Sequence, residues 1–318
     1  MEDVLKAIDK AGFAFSRDED FSSYLGVLVE HLDDGIKKLS QPGLMKQLLE
    51  MMAMTDCNPV KTPISGPLFA HQDSEPHEGF NFRSALGMLM CVTNNTRPEC
   101  AYAVNACAQC SIKPKKPHAE AVRRICRYLK GTISEGLYIR PPKGPLSLNC
   151  HVDADYAGNW NLPEADSIET VKSRCGFVIT LGTVPVLWKS KRIQEVCLST
   201  MESEYISLSM AMRSLIYLRG LLFEIDKTFD LKVGSLISTM STVFEDNSGA
   251  LALATTDPPR MTPRSKSLAV KYHWFRSHLS PTTIMVKPVA SKENKGDIFT
   301  KGLPGPDFTR HRKDLCGW

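Results

Sequence analysis

At 318 residues the chain suggests two domains and can bury a sizeable core. Its 42% hydrophobic and 23% charged residues are ordinary for a soluble globular protein, and a net charge of +4 selects no partner by itself. No apolar run approaches the roughly 20 residues of a membrane span, Met1-Glu2-Asp3-Val4 opens no secretion signal, and ten scattered cysteines frame no disulfides. The expectation is an intracellular chain with mostly buried thiols.

Val4 to Ala11 is helical in pattern and stops at Gly12. Tyr24 to Leu32 and Ile36 to Leu39 read as a hairpin around Asp33-Asp34-Gly35, because an Asp-Gly pair supplies the positive φ values such turns need. Pro42 opens a helix to about Met54, with Leu44, Leu48, Leu49 and Met52 at helical spacing. Residues 55–80 hold four prolines, two glycines and no periodicity, and read as a linker or long surface loop. Helices follow over Arg83–Val92 and Glu99–Cys110, and a third after Pro117 sets Val122, Ile125, Cys126 and Leu129 on one face. Between Lys113 and Lys130 stand seven basic residues (Lys113, Lys115, Lys116, Arg123, Arg124, Arg127 and Lys130) against one acid, Glu120. Such a run is either a solvated helix face or a track for phosphates.

Pro141-Pro142-Lys143-Gly144-Pro145 marks a boundary, and the pattern changes beyond it. Leu146, Leu148, Cys150 and Val152 alternate as a strand ending at Asp153. Cys175–Leu181 and Val184–Lys189 form a hairpin, and a long helix runs from Thr200 to about Glu224. A strand ending near Asp246, a short helix over Ala250–Ala254, a strand over Thr283–Val289 and a short helix around Asp297 complete the order. This is an α/β layered domain with a mixed sheet. The organisation expected is 1–140, then 141–303, then a tail over 304–318.

Two-metal hydrolysis of a phosphodiester needs several carboxylates converging on cations about 4 Å apart, and Mg²⁺ prefers oxygen ligands. Asp153 and Asp246 stand at strand ends, and Asp297 stands on or before the last helix. On the long helix, Ser199-Thr200-Met201-Glu202 fits a capping box, so Glu202 already has a structural task. Glu204 is therefore the expected fourth ligand. Asp155, Glu195, Glu245 and Asp257 are expected to be solvent-exposed or capping residues.

His151-Val152-Asp153-Ala154-Asp155-Tyr156-Ala157-Gly158 resembles the first-strand motif of copia-type retrotransposon ribonuclease H domains. Leu198-Ser199-Thr200-Met201-Glu202-Ser203-Glu204-Tyr205 resembles that family's helix motif, whose metal-binding Glu directly precedes the Tyr. Glu245-Asp246-Asn247-Ser248-Gly249-Ala250 and Lys295-Gly296-Asp297-Ile298-Phe299-Thr300-Lys301 resemble its third and closing motifs. Upstream, Phe21-Ser22-Ser23-Tyr24-Leu25-Gly26, Gln41-Pro42-Gly43-Leu44, Thr96-Arg97-Pro98 and Arg127-Tyr128-Leu129-Lys130-Gly131-Thr132 resemble the palm end, thumb and connection of the same family's reverse transcriptase. No Tyr-x-Asp-Asp polymerase motif is present, so polymerisation by this chain alone is not expected.

The resemblance implies a ribonuclease H-like mixed sheet with flanking helices, preceded by a mostly helical partial reverse transcriptase region. It implies an endonuclease acting on RNA in RNA–DNA hybrids, using two Mg²⁺ ions (Mn²⁺ as the alternative) held by Asp153, Glu204, Asp246 and Asp297. The basic run would grip the duplex backbone, and the partners are the hybrid and the absent palm and fingers. The place implied is the cytoplasm, in virus-like particles for an active element, with the nucleus as a further site. The rival reading is a catalytically inactive remnant that at most binds nucleic acid. An integrase is disfavoured, because its final acid is typically a Glu on a helix. Cys107-Ala108-Gln109-Cys110 lacks the further ligands of a structural zinc site and is set aside. His273 and His278 read as packing residues. Trp160 and Tyr156 are candidates for stacking on sugar or bases, with core packing at least as good a reading for Trp188.

Overall fold

A computed structural model describes residues 6, 9–12, 22–68, 74–142, 144–162, 167–229, 240–256 and 272–318. Half of the helix expected over Val4–Ala11, and Asp257, lie outside the described residues.

Strands β1 (Ser23–Tyr24), β2 (Val27–His31), β3 (Lys37–Ser40) and β4 (Leu137–Ile139) form a small antiparallel sheet in chain order. The β2–β3 turn places Asp34 at φ 57° and Gly35 at φ 72°, the left-handed conformations that the Asp-Gly pair predicts. Helices α1 (Pro42–Met51), α2 (Phe82–Asn95), α3 (Ala101–Ala108) and α4 (Lys116–Gly131) complete the first part. Asn81 caps α2 by accepting the Ser84 N–H at 3.0 Å. The intervening loop is not a free linker: Thr62 and Ile64 are buried, and Arg127 Nε donates to Asn58 O at 2.6 Å.

The second part contains β5 (Leu148–Asp155), α5 (Ile168–Val171), β6 (Arg174–Leu181), β7 (Val184–Arg192), α6 (Thr200–Phe229), β8 (Ser241–Glu245), α7 (Ser248–Thr255), β9 (Ile284–Pro288) and α8 (Gly305–Cys316). The sheet order is β7-β6-β5-β8-β9, with β5 antiparallel to β6 and parallel to β8, and β8 parallel to β9. β5 runs two residues past its expected end, because Asp155 stays in register with Arg174. Within residues 304–318, expected as a tail, Gly305–Cys316 forms α8, with Pro306 in its first turn and Gly317 closing it at φ 90°.

Two apolar clusters sandwich this sheet. Leu148, Cys150 and Val152 pack with Tyr205, Leu208, Met212 and Leu215 of α6. Each such side chain contributes about 1.5–3 kcal/mol on burial. α6 over Thr200–Thr228 is long and apolar enough, by length and composition, to cross a membrane, but charged residues such as Glu202, Glu204, Arg213 and Arg219 interrupt its apolar run and its inner stripe is the core of this layer. The second cluster joins Met45, Leu89 and Ile125 to Val178, Ile298, Phe299, Phe308 and Leu315. The apolar core therefore continues across residue 140. Trp188 belongs to this cluster, donating from Nε1 to Thr93 O at 3.1 Å.

A buried polar knot ties the same parts together. Arg97 Nε pairs with Glu99 Oε1 at 2.7 Å, both side chains fully buried. The guanidinium also donates to Thr132 O at 3.1 Å and Thr132 Oγ1 at 2.7 Å. Tyr128 OH and Cys316 Sγ donate to Glu99, and the Trp318 ring lies 5.2 Å from the guanidinium carbon. The two upstream motifs around Arg97 and Tyr128 thus meet the end of α8.

Candidate metal centre

The four expected carboxylates arrive from four segments at the carboxyl ends of the parallel strands β5 and β8, where open α/β sheets usually bind ligands. Asp153 follows Val152 in β5 and so faces the opposite side of the sheet from Leu148, Cys150 and Val152. Asp246 is the first residue after β8, Glu204 lies in the opening turns of α6, and Asp297 starts a 3₁₀ turn, Asp297–Phe299.

The choice between the two helix acids follows from capping. Glu202 N–H donates to Ser199 Oγ at 3.1 Å, and the Glu202 carboxylate reaches back to accept the Leu198 N–H at 2.8 Å. Its partner is one residue earlier than the capping box predicts, yet Glu202 is occupied all the same. Glu204 is 7% exposed, and its Oε2 has no hydrogen-bond partner.

The closing segment is clipped to β5. Asn294 Nδ2 donates to Val152 O at 2.8 Å, and Asn294 Oδ1 accepts the Gly296 N–H at 3.0 Å. A Cβ on Gly296 would stand 2.8 Å from Asp153 Cβ, so only glycine lets the Asp297 turn lie this close to the strand. Thr300 Oγ1 donates to Asp153 Oδ2. Lys301 Nζ lies 3.0 Å from Asp297 Oδ1 and 3.8 Å from Asp153 Oδ2, a cation already set among the acids.

Asp153, Asp246 and Asp297 each offer an oxygen within 4.8 Å of the others. Glu204, Glu245 and Asp246 form a second group within the same limit. Asp246 is common to both, whereas Asp153 stands in one group only. Glu245, expected to be exposed or capping, is instead fully buried. Its signal lay in strand alternation, which sets Ser241, Val243 and Glu245 on one buried face.

The electrostatics are those of acids crowded without a matching cation. Burial above all, with Glu245, Asp153 and Asp246 close by, pushes the Glu204 carboxyl up to about 11. Burial, then Asp246 and Asp153, push Glu245 up to about 8 despite the Asn247 N–H. Burial and Asp153 push Asp297 up to about 7 against the pull of Lys301. Burial raises Asp153 as well. Buried partnerless oxygens on Glu204 and Glu245 fit a divalent cation by charge and by donor type.

The basic residues are dispersed. Lys113 is exposed, Lys116 pairs with Glu75, and the Lys115 backbone N–H donates to His118 Nδ1 at 3.0 Å. Arg123 lies over the Phe80 ring, and Arg124 Nη2 donates to Thr62 Oγ1 at 2.9 Å while its Nε has no partner. Lys130 is half-buried. Arg123, Arg124 and Arg127 line one groove of about 530 Å³ with Ile64, Leu68 and Glu120. Tyr156 and Trp160 are exposed beyond β5, and His273 Nδ1 meets Tyr205 OH at 3.0 Å. Cys107 is buried in the core, where burial raises its thiol pKa.

Carboxylates gathered at the ends of the parallel pair of this five-stranded mixed sheet define a ribonuclease H-like fold. No family model matches the chain. It is 30% identical over 306 residues to the retrovirus-related Pol polyprotein from transposon RE2 of Arabidopsis thaliana, covering 95% of this chain and 20% of the relative. It is 31% identical over 286 residues to the corresponding polyprotein from transposon TNT 1-94 of Nicotiana tabacum, covering 87% and 20%. Its homologues are copia-type retrotransposon Pol polyproteins that match most of the chain, and the chain spans about a fifth of the length of these relatives. Among solved structures it is similar to the N-terminal RNase H domain of a Mycobacterium tuberculosis protein, at 12% identity, TM-score 0.33, and coverage of 53% of this chain and 97% of that one. The strand order itself, with β5 parallel to β8 and antiparallel to β6, defines the fold.

Proposed function

We propose that this chain is a divalent-metal-dependent ribonuclease H that hydrolyses the RNA strand of RNA–DNA hybrids. The observation that carries the reading is the pair of carboxylate groups sharing Asp246, with buried partnerless oxygens on Glu204 and Glu245. Similarity to retrotransposon Pol polyproteins over most of the chain supports a hybrid as substrate.

Two bound cations would activate water and stabilise the leaving oxygen. Asp153, Asp246 and Asp297 would hold one ion, and Glu204 with Asp246 the other. Thr300 and Asn294 fix the oxygens of Asp153 and the approach of the Asp297 turn. Lys301 pairs with Asp153 and Asp297, and with cations holding that charge it would be the side chain available to a substrate phosphate. The arginine groove along α4 would follow the duplex backbone, so binding weakens as salt rises, whatever the sequence. The substrate is read by its geometry and 2′-hydroxyls rather than by its bases.

The test is incubation of the purified chain with a labelled RNA–DNA hybrid and Mg²⁺, beside Asp246→Asn. Cleavage by wild type and none by the variant supports the reading. Intact hybrid in both refutes it and leaves a non-catalytic remnant; equal cleavage in both refutes the assignment of the activity to this carboxylate centre.

A further inference from the structure

Glu245 has no part in the four-carboxylate scheme, yet its side chain is fully buried beside that scheme. It ends β8 in register with Pro288 of β9, and strand alternation turns it to the face that Val243 presents to the α6 core layer. Its Oε1 accepts the Asn247 N–H at 3.0 Å, while Oε2 has no partner. Glu204 Oε2, on α6, is likewise without one, and oxygens of Glu204, Glu245 and Asp246 lie within 4.8 Å of one another. The ion pairs of Lys301 go to Asp153 and Asp297, in the other group.

We propose that Glu245 is a fifth carboxylate of the metal centre, sharing one divalent cation with Glu204 and Asp246. This rests on the reading that the cluster holds divalent cations, and it extends the ligand set beyond the four motif acids. A buried carboxylate with a free oxygen and two acidic neighbours is costly in a folded chain. A neutral side chain would end the strand without that cost. A hard cation reverses the balance, because it supplies the missing charge and takes oxygen donors. Asn247 sets the carboxylate by holding Oε1, which leaves Oε2 for the ion.

The test counts Mn²⁺ bound to the full chain by electron paramagnetic resonance, for wild type, Glu245→Gln, Glu245→Asp and Asp246→Asn. Thermal unfolding in EDTA is measured alongside. Glu245→Gln is expected to weaken one of two Mn²⁺ ions by about tenfold or more, leave the other unchanged, and unfold no earlier than wild type in EDTA. Glu245→Asp should recover part of the loss, and Asp246→Asn should weaken both ions. Wild-type binding of two ions by Glu245→Gln overturns the proposal while the cation-binding reading stands. Weaker binding together with earlier unfolding in EDTA also overturns it, assigning Glu245 to the fold. Absence of any bound Mn²⁺ in wild type overturns both.

Discussion

Replacing Arg97 with alanine should destabilise the whole chain, because its guanidinium is fully buried and ion-paired to an equally buried acid. Its Nε lies 2.7 Å from Glu99 Oε1, and neither side chain has exposed surface. Removing one partner of such a pair strands the other charge, at a cost of about 3–5 kcal/mol. Two further donations to Thr132, at 3.1 and 2.7 Å, are lost together with the stacking against Trp318. The expected loss for Arg97→Ala is therefore at least about 4 kcal/mol. Glu99→Ala strands the opposite charge, so the double variant should cost less than the sum of the singles, with a coupling of about 2–3 kcal/mol. Urea unfolding followed by circular dichroism measures all three. A loss under about 1 kcal/mol for Arg97→Ala, or additive singles, would refute a buried ion pair as the tie between α4 and α8.

Four more outcomes follow from the metal centre. Glu202→Gln should lower stability by about 0.5–1 kcal/mol through the weakened cap and leave Mn²⁺ binding intact, whereas Glu204→Gln should do the reverse; thermal unfolding and metal titration separate them. Gly296→Ala drives a Cβ to within 2.8 Å of Asp153 Cβ, so it should cost about 1–3 kcal/mol and weaken metal binding by displacing Asp297. The acids also give a signed pH dependence. Folded values of about 7, 8 and 11 for Asp297, Glu245 and Glu204 exceed the ordinary carboxylate range, so their stability contribution is full below about pH 4. In EDTA the melting temperature should fall as pH rises through about 7 and 8 and on towards 11, and saturating Mg²⁺ should flatten that fall. A melting temperature that rises with pH in EDTA would contradict the assignment.

Much of the second part was legible because its signals are local. Alternation marked β5 and the β6–β7 hairpin, and the capping box around Ser199 separated Glu202 from Glu204 before any contact was known. The Asp-Gly pair fixed the turn at residues 34 and 35 by its backbone demands alone. What was missed depends on distant partners. The loop over residues 55–68 shows no period because Asn58 and Thr62 are held by Arg127 and Arg124 of α4. α8 carried a proline start and a glycine stop, but its buried face, Phe308 and Leu315, is packed on the first part, far away in sequence. Glu245 reads as solvated in the sequence because a single acid at a strand end usually is. Alternation with Val243 gave its burial, and only the α6 carboxylate opposite gives that burial a chemical meaning.

The most direct measurement of the metal-centre assignment is cleavage of an end-labelled RNA strand, paired with DNA, across a Mg²⁺ titration starting from EDTA. The carboxylate geometry predicts no product in EDTA, product that rises with Mg²⁺, and none from Asp153→Asn or Asp246→Asn at any concentration. Uncut RNA in wild type at saturating Mg²⁺, or equal product in EDTA, would contradict it.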